Sequence, residues 1–239
     1  MSAVKKPSVD KIMPFALRPL QEGDAVQAAE IERDAFPTLF PPTSFGRELR
    51  NRMANYLVAW RRDDLGGPHH GAATPNGDPD DVAASSGSPH SISRLLETAR
   101  GLFAKRNAAW ARGQQYIAGF MGTWYLVDEA HIVSIGVRSE HRGLGIGELL
   151  LIGAIEHAIQ HNSTVVTLEV RVSNDIAQKL YKKYGFTERG VRKGYYTDDR
   201  EDALIMTTDE IQSRSSLDRF RSLSEAHQAR WGYSDRLLS

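Results

Sequence analysis

The sharpest chemical signal in the sequence is Arg142-Gly143-Leu144-Gly145-Ile146-Gly147, set between an apolar strand-like run and a helix-like one. Glycines at such a junction let backbone approach a ligand closely, and the first N–H groups of the helix point outward without partners. With the fixed charge of Arg142 they make an anion site suited to a pyrophosphate. Two other glycine-loop chemistries fail on spacing. A Walker A loop needs Gly-Lys-Ser/Thr, whereas Gly147 is followed by Glu148 and Leu149; a dinucleotide fingerprint needs a glycine where Glu148 stands. A helix start that merely needs flexibility is the plain alternative, but glycine inside a helix costs about 1 kcal/mol against alanine.

Glu169 stands near the end of a run, residues 165–170, otherwise built from Val, Thr and Leu. Two-residue alternation puts it on one strand face with Val165 and Thr167. In open α/β sheets the ligand crevice lies at the carboxyl ends of the parallel strands, so a carboxylate there can serve as a general base. An exposed strand acid paired with Arg171 reads the same residues equally well. Asn174 and Tyr181 are seven residues apart and share a helix face, from which Tyr181 leans back toward the crevice. That tyrosine also fits an ordinary buried stripe of Ile176, Ala177, Leu180, Tyr181 and Tyr184. His157 and His161 lie i, i+4 on a helix, but a metalloprotease helix needs glutamate where Ala158 stands, and His69 and His70 fall in a Gly/Pro-rich stretch. No metal site is expected.

The elements that must position these residues read as follows. A short strand at 16–18 precedes a helix over 24–36, broken by the prolines of Phe36-Pro37-Thr38-Leu39-Phe40-Pro41-Pro42. Ser44 caps a second helix through about Met53, and 56–60 is a strand. Residues 62–113 form an insertion, with a Gly/Pro/Asp/Ser-rich loop at 63–90 read as disordered and a basic amphipathic helix at 91–112. Strands at 116–127 and 131–137 meet at Asp128-Glu129. A helix over 145–161, a strand at 165–170, a helix over 174–184 stopped by Gly185, and strands at 186–194 and 203–207 complete the pattern. The order β-α-α-β, insertion, β-β-α-β-α-β-β implies an α/β (α+β) fold. Its central mixed sheet has about six to seven strands, with helices on both faces and one parallel strand–helix–strand unit. Residues 1–13 read as an N-terminal extension, 14–210 as the domain and 211–239 as a helical tail.

Bulk composition narrows the classes. The chain has 239 residues, 30 basic and 30 acidic, so a nucleic-acid partner is not expected. It contains no cysteine, which excludes disulfides, thiolate metal sites and an acyl-cysteine route. The N-terminal residues hold no apolar stretch of signal-peptide length and no run approaches a membrane span, so a cytoplasmic protein is expected.

From Glu129 to Thr207 the chain resembles the GCN-five-related N-acetyltransferases (GNAT). The carrying segments are Glu-Ala-His-Ile-Val-Ser-Ile-Gly-Val at 129–137, the Arg-x-x-Gly-x-Gly motif at 142–147, Leu168 through Phe186, and Arg192 through Met206. Within the superfamily it is most similar to bacterial ribosomal-protein-alanine N-acetyltransferases and their N-terminal counterparts elsewhere. The resemblance implies a fold in which two parallel strands splay to admit the pantetheine arm of acetyl-coenzyme A. The backbone of Ile135, Gly136 and Val137 would pair with that arm. Arg142, Gly143, Leu144, Gly145, Ile146 and Gly147 would hold the pyrophosphate, and Asn174 would touch the cofactor. Glu169 matches the family's proton acceptor and Tyr181 its proton donor. Tyr195 and Tyr196 match an aromatic pair on the substrate loop, with Phe40 on the opposite wall.

The resemblance thus implies acetyl transfer to a protein N-terminal α-amine, a ribosomal protein being one candidate acceptor. Transfer to a small amine and a non-catalytic acyl-coenzyme A sensor are the alternatives, and the Glu169/Tyr181 pair speaks against the sensor. The insertion and the tail after Asp209 fall outside the family pattern. They bear on substrate choice and partners rather than on the cofactor, and the insertion helix is a candidate docking element.

Overall fold

The computed structural model describes residues 11–36, 41–62 and 115–239. The strands are β1 (Phe15–Pro19), β2 (Ala54–Arg61), β3 (Ile117–Leu126), β4 (Glu129–Val137), β5 (Val165–Arg171), β6 (Phe186–Arg192) and β7 (Ala203–Thr208). They form one sheet in the order β1-β2-β3-β4-β5-β7-β6, so the mixed sheet expected from the sequence is present with seven strands. Among the described residues the α-helices are α1 (Ala25–Ala35), α2 (Phe45–Glu48), α3 (Ile146–Gln160), α4 (Asp175–Lys183) and α5 (Arg214–Trp231). The loop expected at 63–90, the helix at 91–112 and Phe40 lie outside the described residues.

β3 is buried along its first seven residues, on both faces, because apolar layers cover both sides of the sheet. On one side Leu20, Ala28, Ile31 and Phe45 pack with Tyr56, Val58, Ile117 and Phe120. On the other lies the larger cluster, which α3 dominates through Leu149, Leu150, Leu151, Ile152 and Ile155. α3 is apolar nearly all round, the pattern of a helix with neighbours on every side.

Every strand pair is antiparallel except β4–β5. That parallel pair runs only from Glu129↔Val165 to Ile132↔Leu168. Beyond it the two strands part, each holding its antiparallel neighbour on the outer side, β3 for β4 and β7 for β5. A register shift between Gly122 and Thr123 leaves Val133 as the extra residue of a bulge in β4. The bulge lies at the start of the parting, where a local change of twist turns the end of β4 away from β5.

Two local features differ from the sequence reading. The second helix stops at Glu48, because the Asn51 side chain accepts from the Met53 N–H at 3.1 Å and closes a turn in place of another helical one. The β3–β4 hairpin turns at Val127-Asp128, one residue early, with Val127 in the left-handed region at φ 54° and fully exposed. The paired residues Leu126↔Glu129 leave a two-residue loop, which demands positive φ even from a β-branched side chain.

Phe120 is fully buried and meets Phe45 edge-on at 5.3 Å between ring centroids. Phe120→Ala should lower unfolding stability by about 3–5 kcal/mol, read by chemical denaturation. A loss below about 1 kcal/mol would mean that this face of the sheet is not a packed core.

Candidate active site

The carboxyl ends of β4 and β5 carry the chemistry-bearing residues. β4 leads through a short 3-10 turn, Ser139–His141, into the glycine loop and then α3. Gly143 and Gly145 have φ of +77° and +78°, where a β-carbon is strained, and a β-carbon on Gly143 would meet nothing within 4 Å. Gly145 is the N-cap of α3 and no side chain among the described residues caps the helix, so its first N–H groups can take a ligand. Gly143 and Leu144 are exposed, and the Arg142 side chain is half exposed with Asp34 3.7 Å away.

An acid in the first turn would oppose an anion, and Glu148 is such an acid. It is drawn aside by Lys183 at 2.6 Å and the Tyr184 hydroxyl at 2.8 Å. Burial would raise its pKa, but these two donors win and hold it low. An open, uncapped helix start with two left-handed glycines and its acid neutralised fits the diphosphate of a coenzyme. The neighbouring gap between β4 and β5 fits an extended arm, lined by Ile135, Gly136 and Val137 on one side. Asn174 caps α4 by accepting from the Ala177 N–H at 3.1 Å.

Glu169 is neither exposed nor paired with Arg171. Its side chain is 7% exposed, with Oε2 2.8 Å from His131 Nε2 and Oε1 2.9 Å from Arg192 Nε. The His131 hydrogen bond outweighs burial and, with Arg192, holds the Glu169 carboxyl below its usual range. The same bond raises His131. Sequence reading missed His131 and Arg192. His131 sits opposite Thr167 in the parallel register, two residues short of Glu169, and only that register brings the two together.

Arg171 has a different task. It binds Asp198 at 2.6 Å, Asp199 at 2.9 Å and Glu201 at 2.8 Å, and its guanidinium lies 3.9 Å over the Tyr196 ring. It therefore ties the end of β5 to the loop between β6 and β7. Tyr195 and Tyr196 stand edge-to-face at 5.3 Å on that loop, Tyr195 half exposed beside Arg192. Burial lifts Tyr196 to about 12.

Tyr181 is 5% exposed, tilted against Phe186, and raised by burial and by the nearby Tyr196, so it remains a neutral phenol that can donate. The apolar stripe predicted for its helix is partly wrong: Ile176 is 86% exposed. Gln178 is buried instead, donating to the Arg171 and Val172 carbonyls. His157 is held neutral, with a pKa of about 4, by burial and by His161 beside it, and contacts Tyr125 and Asn55. Among the described residues no group of three or more His, Asp or Glu side chains is placed to hold a metal ion.

The His131–Glu169 pair makes stability depend on pH. Unfolded, Glu titrates near ~4.3 and His near ~6.5. Glu169 is lowered in the fold, so its share is present above ~4.3 and lost as pH falls through the lowered value; His131 is raised, so its share is present below ~6.5 and lost as pH rises through the raised value. His131→Gln should cost about 1 kcal/mol near pH ~5.5 and less near pH ~8.5, measured by denaturation at both. Equal losses at the two would contradict the ion pair.

The acetyltransferase (GNAT) family model matches residues 78–186, beginning within the stretch expected as an insertion and ending at the first residue of β6. A ribosomal protein bS18-alanine N-acetyltransferase of Escherichia coli (strain K12) is 39% identical over 92 residues, 38% of this chain and 62% of that protein. An N-alpha-acetyltransferase of Sulfurisphaera tokodaii is 48% identical over 82 residues, 34% of this chain and 48% of that protein. The chain thus spans between 48% and 62% of the length of these curated relatives. The crystal structure of the Escherichia coli ribosomal-protein-S18-alanine N-acetyltransferase superposes with a TM-score of 0.53 at 22% identity, covering 82% of this chain and 94% of that one. A GNAT family acetyltransferase from Elizabethkingia anophelis with acetyl-CoA bound gives 0.50 at 14% identity, covering 82% and 98%. Both share this chain's fold.

Proposed function

We propose that the chain carries an acetyltransferase domain of the GNAT family and that it transfers acetyl from acetyl-coenzyme A to the α-amine of a protein N-terminus. The observation that carries this reading is a shielded, ionised Glu169 at the mouth of the β4–β5 gap, beside an aromatic pair on a braced loop. The acetyl thioester supplies the electrophile. Residues 142–147 hold the diphosphate, and the backbone of Ile135, Gly136 and Val137 aligns the arm in the gap with help from Asn174. The Val137 N–H faces the developing oxyanion. Glu169 takes the proton shed by the attacking amine, through a water, and Tyr181 donates one to the departing sulfur. Tyr195 and Tyr196 wall the acceptor groove.

The low pKa of Glu169 bears on the choice of amine. A carboxylate held below its usual range is a weak base and cannot strip a proton from a strongly basic ammonium. An α-amine titrates near ~7.7–8.0 and a lysine near ~10.4, a gap worth ~3.5 kcal/mol. Near neutral pH an N-terminal amine is already partly neutral, so Glu169 need only accept the proton released on attack. The names of the two curated relatives support the same reading: one is an N-alpha-acetyltransferase, and the other is named for the alanine of a ribosomal protein.

The test is thiol release from acetyl-coenzyme A in the presence of an alanine-first peptide. Glu169→Gln should lower turnover by about 10²-fold and leave coenzyme affinity unchanged. An unchanged rate would remove Glu169 from the chemistry. Tyr181→Phe should also slow turnover, by roughly 10²-fold, without changing peptide affinity; full activity would exclude it as the proton donor.

A further inference from the structure

α3 exposes almost no apolar surface, although the sheet can cover only one of its sides. The cover on the other side comes from α5. Ser213 caps α5 by accepting from the Ser216 N–H, and Phe220 and Leu223 pack on the core that α3 dominates. The far end of α5 reaches the glycine loop. His227 Nε2 lies 3.0 Å from the Gly145 carbonyl oxygen, so that nitrogen carries the proton and donates. The Trp231 indole lies so close under Gly145 that a β-carbon there would come within 2.6–2.7 Å of it.

The chain then secures this end of α5 to the opposite edge of the sheet. Beyond Gly232, the Tyr233 and Asp235 carbonyls accept from the Met13 and Leu17 N–H groups at 2.8 Å each. The Ser234 hydroxyl donates to the Phe15 carbonyl at 2.8 Å, and Arg236 pairs with Glu156 on α3 at 2.7 Å. His227 is 4% exposed, and burial keeps it predominantly neutral. A fixed ring and a fixed indole thus press on the one residue whose left-handed conformation begins α3.

We propose that α5 belongs to the coenzyme site, with His227 and Trp231 as positioning residues that hold the 143–147 loop in the conformation that takes the diphosphate. The proposal rests on the reading of that loop as the coenzyme's binding site. Without His227 the Gly145 carbonyl loses its side-chain donor and is left with the Leu149 N–H, and without Trp231 Gly145 loses the indole packed against it. Gly145 can then sample its other allowed conformations, and apparent affinity falls in proportion to the competent fraction.

Calorimetric titration of the full chain with coenzyme A tests this. His227→Ala and Trp231→Leu should each weaken binding by about tenfold, with turnover at saturating acetyl-coenzyme A within about twofold of the parent. Phe220→Ala, in the N-terminal half of α5, should reduce thermal stability and leave coenzyme affinity alone. Unchanged affinity in folded His227 and Trp231 variants would overturn the proposal, as would an equal loss in Phe220→Ala. Should those variants fail to fold, hydrogen exchange on the parent decides, since coupling is reciprocal: coenzyme A should slow exchange at residues 227–232, and no change there would overturn the proposal. If the parent itself shows no binding heat and no exchange response, the assignment of the loop to coenzyme A falls first.

Discussion

The parting of β4 from β5 is the constraint on which the site depends. Two parallel strands that stayed paired to their ends would fill the gap with their own hydrogen bonds and leave no edge for a ligand. Here pairing ends at Ile132↔Leu168, after four residue pairs, and the bulge at Val133 turns the end of β4 away. Unpaired backbone groups inside a fold demand partners, which an extended chain with its own amides can supply. The antiparallel neighbours β3 and β7 keep the two freed strand ends from collapsing together. The glycine loop and Glu169 lie near this gap because both sit at strand ends that the parting separates.

Electrostatics then divides the labour. Near the loop, Lys183 and Tyr184 engage Glu148, which lessens the repulsion that an acid in the first turn would exert on an anion at the helix start. In the groove, His131 and Arg192 keep Glu169 ionised and shielded at once. Arg171 gathers three carboxylates and stacks on Tyr196, which gives the β6–β7 loop a fixed shape against which an acceptor can be read. Each arrangement spends a buried or half-buried charge, and each charge has a partner close by, as burial requires.

The glycine-rich strand-to-helix junction was legible in the sequence because it is local. Three glycines, an arginine and a strand-to-helix junction lie within six residues. The element order was legible for a similar reason, since periodicity and prolines act over short spans. What escaped depends on contacts between distant residues. The partnership of His131 with Glu169 needs the parallel register, and Glu169's assumed partner, Arg171, is engaged elsewhere. Gln178 takes a buried place that apolar patterning gave to Ile176, because its amide satisfies two strand-end carbonyls. The second helix ended early through one asparagine side chain. The packing of Trp231 against Gly145 joins residues far apart in the sequence, beyond the reach of local patterning.

The most direct test of the central claim is the position of the acetyl group on a single peptide that begins with a free alanine and carries an internal lysine. After incubation with acetyl-coenzyme A, tandem mass spectrometry locates the modified nitrogen. Acetyl is expected on the α-nitrogen alone, and none on a copy of the peptide whose α-amine is blocked. Acetyl on the lysine side chain would contradict it, as would an untouched peptide alongside acetylation of a small polyamine.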